Sequence, residues 1–297
     1  MKNKGYEFIL LVVTAFWGLS FLLTKDVLGE LSLFNFLALR FGIAFIFSSI
    51  VFFKSMCEID KATIKYGISI GVILFLSFVF QTLGISYISA SKVAFITGLS
   101  VVIVPMISAI ILKRKLSISV WIGAIFAIVG LGLMTLEGET WNISVGEIYA
   151  LLGAIFFALY VVLVEIYTKK VNSVNFAILQ LAIVSLFSFV ISILTESVRL
   201  PHKSASWVGL MVLALLCTSG AYIAQNVLQN YVSASKTAII FSTEPVFAGI
   251  FGMLIWKEIL TTNAILGGAL IFIGMLVVEV GSDIYLKFSK NSSNQLS

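Results

Sequence analysis

Residues 87–92 read YISASK, and residues 231–236 read YVSASK. The copies lie 144 positions apart. Each follows a glutamine six places upstream, Gln81 and Gln225, and each opens a long apolar run. Laid on one another without a gap, 81–136 and 225–280 agree at 14 of 56 positions, including Gly123/Gly267 and Gly130/Gly274. Further upstream an offset of 140 pairs Glu7 with Glu147 and Asn35 with Asn175. The chain therefore reads as two related halves, 1–138 and 142–290, with a tail at 291–297. Their length is far beyond a solenoid period.

The runs that follow these stretches are of membrane type. Of 297 residues, 60% are hydrophobic and only 11% charged, and mean hydropathy is +1.11. About 20 apolar residues at ~1.5 Å per residue cross ~30 Å of hydrocarbon. Ten runs meet that measure, near 7–27, 33–53, 66–86, 93–112, 118–136, 147–167, 175–195, 207–229, 237–256 and 263–281. They are continuous, which selects helices over a barrel of alternating strands. The predicted fold class is an all-α integral membrane protein, with five helices in each half. The first run lacks a small-residue cleavage site and is followed by further spans, so it reads as helix 1.

Lysine and arginine bias toward the cytoplasm sets orientation. With the N-terminus inside, 13 of the 19 basic residues lie inside and five outside, with Arg40 within a span. Both termini are then cytoplasmic, in a multi-pass protein of the cell membrane. Topology accounts for the net charge of +5, so no nucleic-acid partner is implied. Five spans per half force the second half into the membrane upside down, the inverted repeat of secondary transporters. YISASK then starts helix 4 at the outer face, and YVSASK starts helix 9 at the inner face. In each, a serine stands where an N-cap belongs, and a lysine can reach the headgroups.

The stretches AFWGLSFLLTK (15–25), LALRFGIAF (37–45), YISASKVAFITGLSVVIVPMISAIIL (87–112) and LSISVWIGAIFAIVGLGLM (116–134) resemble the EamA family of the drug/metabolite transporter superfamily. So does 231–276, with EPVFAGIFGMLIWKE as its most specific part. The resemblance spans essentially the whole chain as two tandem units. It implies ten helices around a central cavity walled by helices 1, 3, 4, 6, 8 and 9, and export of small metabolites, amino acids or toxic compounds. One position departs from the family pattern: Arg114 stands where an acidic residue is usual, as Glu258 is after helix 9.

The candidate substrate-cavity residues are Trp17, Gln81, Tyr160, Tyr222, Gln225, Asn226 and Gln229. Tyr222, Gln225, Asn226, Gln229 and Asn230 share one helical face of helix 8. Such a stripe serves either as interhelical glue or as the wall of a wet pathway. Gln81 pairs with Gln225 across the repeat. Trp17 and Tyr160 hold nearly matching places, and Phe157 is the counterpart of Trp17. Glu244, followed by Pro245, is an ionisable residue within a span, which costs about 2.5–3.5 kcal/mol on insertion scales and marks pathways by default. It is the candidate for coupling to protons. Arg40, within helix 2, reads as an interhelical pair or a snorkelling side chain, since helix 2 is not expected to line the cavity.

No P-loop, metal cluster or nucleophile–base pattern stands in the sequence, so neither an enzyme nor a cofactor is expected. The expected partners are a small-molecule substrate, membrane lipid and protons. The expected activity is secondary active export by alternating access, with an importer or facilitative carrier of a metabolite such as a nucleotide sugar as the alternative. Monomer and homodimer both remain open. The spacing in GISIG (67–71) fits helix packing within or between chains.

Overall fold

The computed structural model describes residues 2–113, 118–137, 140–141, 143–241, 243–257, 261–263, 265–270, 272–274 and 276–277. Arg114, Ser242, Glu258 and the tail lie outside the described residues. The first half contributes α1 (Lys2–Leu28), α2 (Leu33–Val51), the short α3 (Phe53–Met56) and α4 (Lys61–Tyr87). It continues with α5 (Ala90–Thr97), α6 (Ser100–Leu112) and α7 (Ile118–Thr135). A two-residue antiparallel ladder, β1 (Leu136–Glu137) with β2 (Thr140–Trp141), precedes the second half. There follow α8 (Val145–Tyr167), α9 (Ser173–Thr195), α10 (Ser204–Ala214), a π-helical stretch (Leu215–Gly220) and α11 (Ala221–Leu228). The last labelled elements are α12 (Ala234–Phe241) and α13 (Glu244–Ile255). Among the described residues, seven helices or continuous helical runs are long and apolar enough to span a membrane. Shorter apolar helices at Trp121–Gly130, Glu244–Ile255 and Ile265–Gly274 fall within three further predicted runs.

The helix starts follow from short polar side chains that accept otherwise orphaned backbone N–H groups. The Asp60 carboxylate accepts from the Thr63 N–H at 3.0 Å and from the Thr63 hydroxyl, and the hydroxyl and N–H together hold its pKa below the aspartate range. Asn172 caps α9. Ser144 and Glu147 form a reciprocal capping box on α8. As predicted, serines cap both repeat copies: Ser89 accepts from the Lys92 N–H at 3.2 Å and Ser233 from the Lys236 N–H at 3.4 Å. The start of α2 borrows its acceptor from the other half: Glu196, just past α9, receives the N–H groups of Phe34 and Asn35 and the Ser32 hydroxyl. Nearby, the Ser206 hydroxyl and the N–H groups of His202 and Lys203 hold the Glu30 carboxyl below its usual range.

Contacts between the halves fix the helix directions. Asn35 at the start of α2 donates to the Arg199 carbonyl beyond α9, and Asn175 at the start of α9 donates to the Ser55 carbonyl beyond α2. These repeat-equivalent asparagines tie two antiparallel helices at opposite ends. The α4–α8 pair is also antiparallel, with Gly84 against Gly146 and Ala150, and Gly153 against Gln81. A Cβ on Gly146 would stand 2.7 Å from the Tyr87 Cβ, so small residues are what permit the approach. GISIG is spent inside the chain. Gly67 lies under Leu179 and Gly71 under Ile183, where a Cβ would come within 2.8 and 2.7 Å.

The lysines of both repeat copies form ion pairs between the halves. Lys92 Nζ lies 2.6 Å from Glu147 Oε1, and Lys236 Nζ lies 2.7 Å from Glu7 Oε1. Each bridge joins one half to the other, and the four residues are two repeat-equivalent pairs. Lys236–Glu7 sits where α1 begins. Lys92–Glu147 sits at the far end, where α4 finishes and α8 begins. The two differ in burial: the side chains are 14% and 4% exposed at the far end, against 53% and 31% where α1 begins. The helix ends are equivalent as well. Lys113, after α6, and Lys257, after α13, are 144 apart and both have φ of 52°, the left-handed conformation of a helix C-terminus.

Candidate functional site

Both halves interrupt a helix at the same repeat position. Between α5 and α6 the Leu99 N–H donates to the Ile96 carbonyl and Val102 to Leu99. Between α12 and α13, Thr243 donates to Ile240 and Val246 to Thr243. These are the same two i→i+3 bonds moved by 144 residues. A tightened turn inside a helix is a common hinge signature. Pro245, first in the new helix, has no N–H to give, so the interruption suits it. The tightened turn before Pro245 thus has a twin at Gly98–Leu99 in the first half, where the backbone stays in the right-handed helical region.

Beside these turns lies a small cavity. Of the residues singled out in the sequence, Trp17, Gln81, Tyr222 and Glu244 line it. Ser20, Ser77, Thr97 and Phe157 complete much of the wall. Aromatic rings form its apolar side. Trp17 meets its repeat counterpart Phe157 edge-on at 5.7 Å and Tyr222 at 5.2 Å between centroids. The Trp17 indole is fixed by donating to the Cys217 carbonyl at 3.0 Å, which holds the ring in place. Glu244 opens the first turn of α13, where a carboxylate is favoured by the helix dipole, and is 8% exposed.

Arg40 also lines the cavity, which corrects the expectation that helix 2 stays out of it. Its Nε donates to the Thr218 hydroxyl at 2.8 Å and Nη1 to Thr24 at 3.4 Å. Thr218, on the π-helical stretch, passes its own hydrogen to the Leu213 carbonyl of α10 at 2.7 Å. The guanidinium carbon stands 5.1 Å from the Phe78 ring centre and 5.7 Å from that of Phe41. Among the described residues no carboxylate lies within ion-pair distance of Arg40. Sequence reading missed this placement because position 40 alone does not say which face of α2 meets the π-helical stretch. Its one available signal was a charge that an apolar span does not need.

The other candidates lie together but apart from this lining. Tyr160 donates to Gln180 at 2.9 Å, Gln180 donates to Asn226 at 3.2 Å, and Asn226 donates back to the Tyr160 hydroxyl at 3.1 Å. Gln225 donates to Gln229 at 2.9 Å, and Gln229 to the Val161 carbonyl at 3.1 Å. All five side chains are fully buried. They join α8, α9 and α11, so this part of the polar stripe acts as a hydrogen-bonded joint between helices. The Gln225 carbonyl oxygen has no partner among the described residues. Cys57 and Cys217 are free thiols, and no metal-binding cluster occurs among the described residues.

The profile of the EamA-like transporter family matches residues 4–136 and again 144–280. An uncharacterized transporter of Archaeoglobus fulgidus is 30% identical over 94% of this chain and 87% of its own length. The uncharacterized transporter YyaM of Bacillus subtilis is 26% identical, over 94% and 95%. A solved structure described only as a crystal structure of a protein superposes with a TM-score of 0.72 at 16% identity, over 95% of this chain and 98% of the other. That last likeness speaks for the fold alone.

Proposed function

The chain belongs to the EamA-like transporter family, and we propose that it is a ten-helix secondary carrier. Its two inverted five-helix halves rock about the cavity to export small metabolites. One observation carries this reading: two helix interruptions, at equivalent positions of the two halves, flank one cavity. Interrupted membrane helices in corresponding places are where carriers of this architecture bind substrate. Each interruption is a hinge, and the repeat makes the two hinges interchangeable.

The inter-half ion pairs support the same mechanism. Lys92–Glu147 and Lys236–Glu7 are equivalent bridges at opposite ends of the bundle. Opening one end separates one pair and leaves the other closed. The greater burial of the Lys92–Glu147 pair supports reading its end as the shut one, extracellular in the predicted orientation. Glu244 is the coupling residue in this reading: its carboxyl lies beside a hinge and can carry a proton through the change of access.

The experiment is to express the chain in bacterial cells and profile extracellular metabolites against empty vector and Glu244→Gln. A compound enriched outside only with the unaltered chain supports export and coupling. Equal enrichment with Glu244→Gln removes the carboxyl from the mechanism but keeps the carrier. Depletion of an external compound reverses the direction.

A further inference from the structure

We infer that the buried joint between α8, α9 and α11 is a second pocket in its closed form, the repeat image of the cavity, and that it opens toward the end where α1 begins. Its lining is uncharged, so the chemistry it takes is neutral hydrogen-bonding groups. That it opens in turn with the cavity rests on the carrier reading. That it is a pocket rests on the repeat and the packing.

The repeat maps the cavity wall onto the joint residue by residue. Two pairs of wall residues map onto each other: Trp17 with Phe157 at an offset of 140, and Phe78 with Tyr222 at 144. These four rings form a partition common to both halves. Four further wall residues, Ser20, Arg40, Gln81 and Thr97, have Tyr160, Gln180, Gln225 and Phe241 as counterparts. None of the four counterparts lines the cavity, and each is at most 2% exposed. The first set stands within about eight residues of the helix ends near Lys92–Glu147, and the second within about eight of the ends near Lys236–Glu7. Open space on one side of the partition thus corresponds to packed side chains on the other.

Side-chain size explains the filling. The serine and threonine of the cavity side become a tyrosine and a phenylalanine. Phe241 packs on Trp17 at 4.7 Å and on Phe157 at 6.2 Å between centroids, and Tyr160 stacks on Phe157 at 6.0 Å. The polar groups explain why the filling is reversible. A permanent seal in a membrane bundle is met by apolar packing alone, whereas Tyr160, Gln180 and Asn226 close a triangle of hydrogen bonds. Those groups are satisfied by one another when the joint is shut, and by water or a ligand when it is open. Gln225 is not fully satisfied in the shut form. Its side-chain carbonyl is buried with no partner among the described residues, a state that raises the energy of the closed joint. Its counterpart Gln81 lines the cavity. Opening would give the Gln225 carbonyl the access that Gln81 already has. The charge is not repeated: Gln180 stands where the cavity has Arg40, so this pocket offers amides and a phenol hydroxyl.

The test is thiol labelling of the full chain in right-side-out and inside-out membrane vesicles, with Cys57→Ser and Cys217→Ala removing the native thiols. The probe is a membrane-impermeant trimethylammonium methanethiosulfonate. Ala221→Cys, 2% exposed and one turn before Gln225 on the same helical face, should react from the end where α1 begins. Its counterpart Ser77→Cys, in the cavity wall, should react from the Lys92–Glu147 end. Tyr160→Phe keeps the ring and removes two hydrogen bonds of the joint. It should speed labelling of Ala221→Cys about tenfold, the scale of two net hydrogen bonds, without speeding that of Ser77→Cys. Phe241→Thr, which copies Thr97, should act likewise and serves where Tyr160→Phe does not fold. No reaction of Ala221→Cys from the end where α1 begins, or a rate unmoved by both variants, would overturn the proposal and leave the joint as fixed packing. Ser77→Cys reacting from both ends would in that case keep a carrier with one cavity. In the Ser77→Cys/Ala221→Cys double variant, labelling at one end should slow labelling at the other. Labelling of Ala221→Cys as expected but independent of Ser77→Cys would keep the pocket and sink the carrier.

Discussion

Replacing Lys92 by Met should damage the protein far more than replacing Lys236, although the two are the same residue of the repeat. The reason is burial. Lys92 and Glu147 are 14% and 4% exposed and 2.6 Å apart. Removing one partner of a buried pair strands the other charge and costs about 3–5 kcal/mol. Lys236 and Glu7, at 53% and 31%, form the exposed kind of bridge, worth about 0–1 kcal/mol. At 2–4 °C per kcal/mol, the scale for domains of 150–250 residues, the lower bound of the first cost becomes a fall of about 6–12 °C in melting temperature, and the second at most about 4 °C. Glu147→Gln is the matching variant, because a glutamine keeps the capping box with Ser144 and loses only the charge. The Lys92→Met/Glu147→Gln double variant should recover much of the loss, since no charge is then left stranded. Melting of the detergent-purified proteins provides the numbers. Lys92→Met should also raise the reactivity of a cysteine placed at Thr97, a buried cavity residue, toward a membrane-impermeant thiol reagent applied at that end. Equal melting shifts at the two ends, or a double variant no better than the sum of the singles, would refute the reasoning.

Asn226→Ala should lower stability by about 1–3 kcal/mol by stranding buried partners at Tyr160 and Gln180, with a smaller effect on substrate KM than Gln81→Ala; chemical denaturation and transport kinetics separate the two. Gly18→Val should block transport, because a Cβ there would stand 2.6 Å from the Phe247 Cβ and 3.0 Å from the Glu244 carbonyl; loss of flux with retained expression is the readout. Lys113→Gly and Lys257→Gly should each raise stability by about 1 kcal/mol, since glycine holds a left-handed φ without a Cβ penalty; an unchanged or lower melting temperature contradicts this. The Asp60 cap gives a pH dependence of known sign. Its folded pKa is below the unfolded one, so its contribution is complete above the ordinary aspartate range and is lost as pH falls through the folded value. Hydrogen exchange at the start of α4 should quicken in acid, and Asp60→Ala should remove that pH dependence.

The halves, the membrane class and the serine caps of α5 and α12 were legible because each rests on local chemistry or on identity at a fixed offset. Glu244, Trp17, Gln81 and Tyr222 were legible as polar or amphipathic groups in apolar runs. What the same runs concealed was direction. Gln225 and Asn226 lie on one helical face with Tyr222, yet Tyr222 turns to the cavity while the two amides close a joint with α8 and α9. Telling them apart needs the rotation of one helix against three others. Arg40 was hidden for the same reason. The ion pairs could have been found: Lys92/Lys236 and Glu7/Glu147 were all recognised as repeat equivalents, but at different offsets, and nothing local said that the two sets meet.

The π-helical stretch at Leu215–Gly220 has one more consequence. A π turn is an α-helix with a residue added, and each residue of an α-helix advances the face by about 100°. The bulge therefore sets how the aim of α10 relates to that of α11. On its own turn, Cys217 receives the Trp17 indole and Thr218 holds Arg40; beyond it, Tyr222 faces the cavity and Asn226 the joint. Straightening the turn with all its residues kept would rotate everything downstream by about 100° and exchange which side chains look inward, whereas deleting one residue from 215–220 would remove the bulge and leave the downstream faces in place. A single-codon deletion would thus disturb the wide turn on which Cys217 and Thr218 hold Trp17 and Arg40 while keeping Tyr222 and Asn226 aimed as they are, a separation that point substitution does not reach.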